Sequence, residues 1–147
     1  MATAAQQVLI AAPSDLARGS LERILGGSGL EVIAVSDGGK ALSETMVRKP
    51  DVLVLDLSLS LMSTSRLVKI LRTNPNTKTI PILFLGEPGQ EVPEEEEGVA
   101  EVLRRPFLDE DVLARVRGMV ARGRRPGTGG IAVQDEGRRK ERVMTKR

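Results

Sequence analysis

An α/β fold built on a parallel sheet is predicted by three features of the sequence. Short apolar runs alternate five times with stretches of helical spacing, at intervals of roughly 20 to 30 residues. Two of the runs, Val8-Leu9-Ile10-Ala11-Ala12 and Val52-Leu53-Val54-Leu55, are apolar without a break, as strands buried on both faces are. Gly, Pro, Asn and Asp punctuate the intervals. Such alternation implies right-handed crossovers and a sheet with helices on both faces.

Each element has its own signal. Val8 to Ala12 forms the first strand and stops at Pro13. Ser14 offers a helix cap, Ala17, Leu21, Ile24 and Leu25 follow at helical spacing, and Gly26-Gly27 ends that helix. Leu30 to Val35 is a second strand, and Asp37-Gly38-Gly39 is expected to be a turn. Ala41, Leu42, Thr45 and Met46 give the next helical face, which must end before Pro50 because the residue preceding a proline is pushed out of the helical region. Val52 to Asp56 follows the most apolar course in the chain and is expected to be the central strand. Leu67, Ile70 and Leu71 mark a third helix ending near Thr73-Asn74-Pro75, and Ile80 to Leu85 a fourth strand.

The stretch Gly86 to Gly98 breaks the pattern. Pro88 and Pro93 each remove an amide donor, and Glu94-Glu95-Glu96-Glu97 offers no apolar face. An irregular, mobile loop is expected, with the glutamates forming a solvated run; a cation, a basic partner or the chain's own basic end are the other readings of that run. Ala100 to Leu103 is a short fifth strand. Asp109, Glu110 and Asp111 suit the positive end of a helix dipole, and Val112, Leu113, Val116 and Val120 continue that helix.

Composition limits the chemistry. The 147 residues fit one domain of residues 6–122 and a basic tail of 123–147, expected to be disordered. Up to Val120 there are 13 basic and 17 acidic residues, and from Ala121 onward nine and three, so an acidic body carries a basic end. That end could make weak non-specific contact with nucleic acid, but no DNA-reading helix is evident and specific recognition is not expected. Two Phe and no Tyr or Trp leave almost no stacking platform for bases. The absence of Cys excludes disulfides and thiolate metal sites. The absence of His removes the commonest general base and the commonest transition-metal ligand. No apolar run approaches the ~18 residues of a membrane span and no secretory signal opens the chain, so a cytoplasmic location is expected.

Three segments together carry a family resemblance. Pro50-Asp51-Val52-Leu53-Val54-Leu55-Asp56-Leu57 resembles the segment of response-regulator receiver domains in which a buried strand presents the phosphorylated aspartate. Ile80-Pro81-Ile82-Leu83-Phe84-Leu85 resembles the receiver's fourth strand, and Arg105-Pro106-Phe107, followed by an acidic helix start, its Lys-Pro-Phe junction. The order and spacing match from about Val8 to Val120. The resemblance to these chemotaxis-receiver-like (CheY-like) domains implies a flavodoxin-like, doubly wound sheet of order 2-1-3-4-5 with ligands at the carboxyl ends of the strands. It also implies that the helix between the fourth and fifth strands is degenerate here. Part of the face through which receivers bind partners would then be altered, and apolar sheet surface left exposed or loosely covered.

The same resemblance implies five functional positions, and four of them depart from the pattern. The acidic pair that holds Mg²⁺ falls on Ala12 and Pro13; one register back it falls on Ala11 and Ala12. The Ser or Thr at the end of the fourth strand falls on Gly86, and the Lys after the fifth on Arg105, which keeps the charge but not the geometry. Asp56 alone remains, as the phosphoacceptor position. No catalytic residue, metal ligand or cofactor is expected, since one carboxylate makes a poor Mg²⁺ site. Asp15 could supply a second carboxylate, although stabilising the first turn of its helix is the simpler role. Asp56 itself is expected to stand in a bidentate ion pair with Arg105 rather than accept phosphate. Two functions stay open: a pseudo-receiver that acts in bacterial signal transduction as a phosphorylation-independent interaction module, and a conventional two-component receiver phosphorylated on Asp56 by a histidine kinase. Neither is an enzyme in the ordinary sense. The partner in either case is a signalling protein, such as a histidine kinase or an output protein.

Overall fold

The computed structural model describes residues 5–96 and 98–123. Their order is β1 (Gln7–Ala11), α1 (Asp15–Gly26), β2 (Glu31–Val35), α2 (Gly38–Arg48), β3 (Val52–Asp56), α3 (Thr64–Thr73), β4 (Ile82–Gly86), β5 (Ala100–Arg104) and α4 (Asp109–Arg122). The five strands form one parallel sheet in the order β2-β1-β3-β4-β5. The expected tail begins where the described residues end, and its residues beyond Gly123 lie outside them.

Side chains alternate across the sheet into two cores. Leu9, Leu53, Leu55, Ile82 and Phe84 meet α2 and α3 through residues such as Ala41 and Leu67. Val8, Ile10, Val54, Leu83 and Leu85 meet α1 and α4 through residues such as Leu21, Leu25 and Val116. Each residue of β3 from Val52 to Leu55 has no solvent exposure, as an unbroken apolar run between two helical layers should. Glu101 of the edge strand β5 is also buried, and two arginines of α4 reach it: Arg115 at 3.1 Å and Arg122 at 2.8 Å.

Helix starts follow their caps. Ser14 and Ser63 accept amides of α1 and α3 through their hydroxyls, Ala17 N and Arg66 N respectively. Asp37-Gly38-Gly39 is not the turn expected. Asp37 caps α2 by accepting the Lys40 amide at 2.8 Å, and the two glycines occupy the first helical turn. A Cβ at Gly38 would collide with the Met62 carbonyl, which explains a glycine where a helix former would otherwise be preferred. The fourth strand begins at Ile82 rather than Ile80, although Ile80 is fully buried.

No helix connects β4 to β5 among the described residues, in keeping with the two prolines. The solvated glutamate run is corrected in one position. Glu95 keeps only 7% of its side-chain exposure and grips Arg72 of α3, while Val92 packs on the α2–α3 core. Glu94 and Glu96 remain exposed, and Glu97 lies outside the described residues. The sheet surface a helix would have covered is therefore partly covered by this connection.

Candidate functional site

The switch point of the sheet lies between β1 and β3, since the chain winds outward from β1 to β2 on one side and onward through β3 on the other. Asp56 ends β3 there and is 6% exposed. Its Oδ1 accepts the Ser58 amide at 2.8 Å, an Asx turn that fixes the carboxylate against its own loop. Its carbonyl accepts the buried Thr64 hydroxyl at 2.7 Å, which ties the start of α3 to the strand end.

Arg105, the first residue after β5, is positioned by its amide, which donates to the Gly86 carbonyl at 2.8 Å. Its Nη2 approaches Asp56 Oδ2 at 3.2 Å, its Nη1 approaches Glu87 Oε2 at 3.3 Å, and its guanidinium lies 5.3 Å from the centre of the Phe107 ring. The bidentate Asp56–Arg105 pair expected from sequence is thus not formed. The guanidinium is shared between two carboxylates, one nitrogen to each. Both Asp56 carboxylate oxygens are nonetheless engaged.

The remaining positions are occupied by other chemistry. Ala12 is buried and donates its amide to Val35 at 3.1 Å. Its carbonyl accepts from Arg18 Nη1 at 2.7 Å, so a guanidinium stands over the end of β1. Pro13 is exposed and contributes no donor. Asp15 is spent locally: it pairs with Arg18 through the latter's second nitrogen and is 92% exposed. At Gly86 a Cβ would approach Gln90 Oε1 at 2.8 Å and collide with Leu57. A Ser or Thr there would require both side chains to move. Gln90 fills that space, accepting the Glu87 amide at 2.9 Å and donating to the Ser58 hydroxyl at 3.0 Å. It bridges the loops after β3 and β4.

The donor set does not fit Mg²⁺. That ion wants several hard oxygen ligands in octahedral geometry. The end of β1 presents an alanine and a proline, and the Asp56 oxygens face an amide and a guanidinium. Among the described residues no group of three or more Asp, Glu, His or Cys is placed to hold a metal ion. Sequence reasoning brought Asp56, Gly86 and Arg105 to one place. It missed Arg18, Ser58, Thr64, Glu87 and Gln90. Only Arg18, three residues after Asp15 on a helix, and Ser58, two after Asp56, carried a local signal.

A parallel sheet of this order, with an aspartate ending its central strand at the switch point, defines the flavodoxin-like class of doubly wound domains. The response regulator receiver domain family matches residues 8–117, and the chain belongs to it. It is 33% identical over 99 residues to the phosphate regulon transcriptional regulatory protein PhoB of Rhizobium meliloti, covering 65% of this chain and 44% of that protein. It is 32% identical over 104 residues to the transcriptional regulatory protein PrrA of Mycobacterium tuberculosis, covering 70% and 45%. The match spans less than half the length of these relatives. The chemotaxis response regulator CheY4 of Vibrio cholerae has a similar structure, with a TM-score of 0.69, 26% identity and coverage of 79% of this chain and 99% of that one.

Proposed function

We propose that this chain is a pseudo-receiver, a protein-interaction module of bacterial signal transduction that works without phosphorylation and without Mg²⁺. Receiver domains are signalling modules that work with histidine kinases and output domains, and this chain is placed among them by family. The observation that carries the finer reading is the pair Ala12 and Pro13 at the end of β1, where the donor set for Mg²⁺ is missing. Phosphoryl transfer depends almost entirely on positioning and on electrostatic stabilisation of the moving group, and the metal supplies most of the latter. Without it, an incoming phosphoryl group would have to displace Arg105 from Asp56 and find room beside Gln90. The partner is a signalling protein, such as a kinase or an output protein, and specific nucleic-acid binding is not part of the reading.

Asp56 itself favours a second reading, that of a conventional receiver. It keeps its place at the strand end, and its contact with Arg105 is a single one through a guanidinium whose side chain is 36% exposed. Incubating the full chain with Mg²⁺ and acetyl phosphate, and in parallel with beryllofluoride, separates the two. Intact mass is expected to stay unchanged and the amide resonances of Asp56 to Ser58 to stay in place. Stoichiometric phosphorylation of Asp56, or saturable shifts around it, would establish the conventional reading instead.

A further inference from the structure

The chain must return from the carboxyl end of β4 to the amino end of β5, and the described residues between them, 87–96 and 98–99, do so without helix or strand. Among the described residues, no backbone hydrogen bond joins 91–95 to the sheet. Arg104 of β5 holds the start of the connection, donating to the Glu87 and Gln90 carbonyls at 2.7 and 2.9 Å, and beyond that point two side chains of the stretch itself reach the rest of the fold. Val92 packs on the core between the sheet and α2–α3. Three residues further on, Glu95 meets Arg72, its Oε1 at 2.5 Å from Nη2 and its Oε2 at 3.0 Å from Nε.

Arg72 is aimed independently of this partner. Its Nη1 donates to the carbonyls of Lys78 at 2.9 Å and Ile80 at 2.8 Å, with Thr77 at 3.4 Å. Those acceptors belong to the α3–β4 connection, so the fork formed by Nε and Nη2 would keep its direction if Glu95 left. A guanidinium fork oriented in advance is a receptor for a carboxylate. Beside it lies an open cavity of about 680 Å³ lined by Arg72, Lys78, Thr79, Val99 and the strap's own glutamates.

We infer that residues 91–96 are a displaceable strap that occupies a docking seat for a partner protein: an extended segment presenting an aliphatic side chain and, three residues later, a carboxylate. The strap's own contacts define that chemistry. Val92 marks the apolar pocket and Arg72 the anion fork, and the partner replaces both contacts in kind. Strap and partner compete for one seat, so the strap weakens partner affinity by the ratio of closed to open chains. The seat lies at the amino ends of β4 and β5, away from Asp56, and works the same whether or not Asp56 is phosphorylated.

The test uses the full chain, labelled for NMR, and a synthetic peptide carrying residues 90–96 of this sequence. In the Val92→Ser/Glu95→Gln chain the strap is released, and the Arg72 Nε–H resonance is expected to leave its wild-type position. The peptide should then shift that resonance and the Lys78 and Ile80 amides in a saturable way. The wild-type chain, its seat filled, should bind the peptide at least about ten-fold more weakly. A peptide with Gln at the position of Glu95 should lose about ten-fold in affinity for the released chain, the worth of one charge-assisted pair. Should the double variant lose the amide dispersion of the folded chain, Glu95→Gln alone serves, because it is isosteric and sits in a connection. Equal binding to wild-type and released chains overturns the inference. So do equal binding of the Glu and Gln peptides, an Arg72 resonance unmoved by the substitutions, and a released chain that binds neither peptide.

Discussion

Asp56→Asn tests the site at its smallest scale. The amide keeps an oxygen for Ser58 but surrenders the charge that Arg105 faces, and Arg105 retains Glu87. A partly exposed pair of this kind contributes about 1 kcal/mol or less, so denaturant unfolding should shift by no more than that. Partner binding and cellular function are expected to survive; a folded Asp56→Asn chain that has lost both would return phosphorylation to the mechanism. Thr45 is a second single-residue case. Its hydroxyl is buried on α2, where it finds no hydrogen-bond partner among the described residues. A lone buried hydroxyl costs on the order of 1–3 kcal/mol, and valine has nearly the same shape. Thr45→Val is expected to stabilise the chain by about 1 kcal/mol, read as a rise of a few degrees in thermal midpoint.

Among elements, β3 carries both the core and the site. Val54 has no exposure and faces the α1–α4 layer. An unpaired carboxylate there costs several kcal/mol, enough to unfold a domain of ordinary stability. Val54→Asp should therefore yield a chain with little native circular dichroism, whereas Asp56→Asn two residues away keeps it. That contrast reflects how the elements could be read from sequence. Buried parallel strands leave continuous apolar runs, and β3 stands at the residues its run marks. Caps leave Ser or Asp ahead of a helical face, although Asp37 with two glycines gave the same signal a turn would give. What no local pattern carries is a long-range charge pair. Glu95 sits among glutamates that face water, and only the fold shows that Arg72, 23 residues back, selects it. Gln90 is hidden for the same reason, because its partner Ser58 lies 32 residues away on another loop.

For the molecule as a whole, both cores close within residues 8–120. A chain ending at Gly123 is expected to unfold at the same denaturant midpoint and with the same slope as the full chain, since the slope follows the surface exposed on unfolding. A lower midpoint would mean that the basic end contributes to the fold. The site's local legibility ended where its neighbours came from different loops, yet its location followed from topology alone, at the one place where the winding reverses.

Glu101 constrains how that topology can go wrong. A parallel edge strand with apolar neighbours could pair one residue out of step at little backbone cost, since the ladder of amides and carbonyls is the same at every position. Side chains decide the matter, because a slip of one sends every residue of β5 to the opposite layer. Glu101 would then enter the α2–α3 core as a bare charge, out of reach of Arg115 and Arg122, while those arginines would face apolar residues. Losing both partners of a buried carboxylate costs several kcal/mol. The acid between two arginines thus sets the native alignment of the last strand against a slip of one residue.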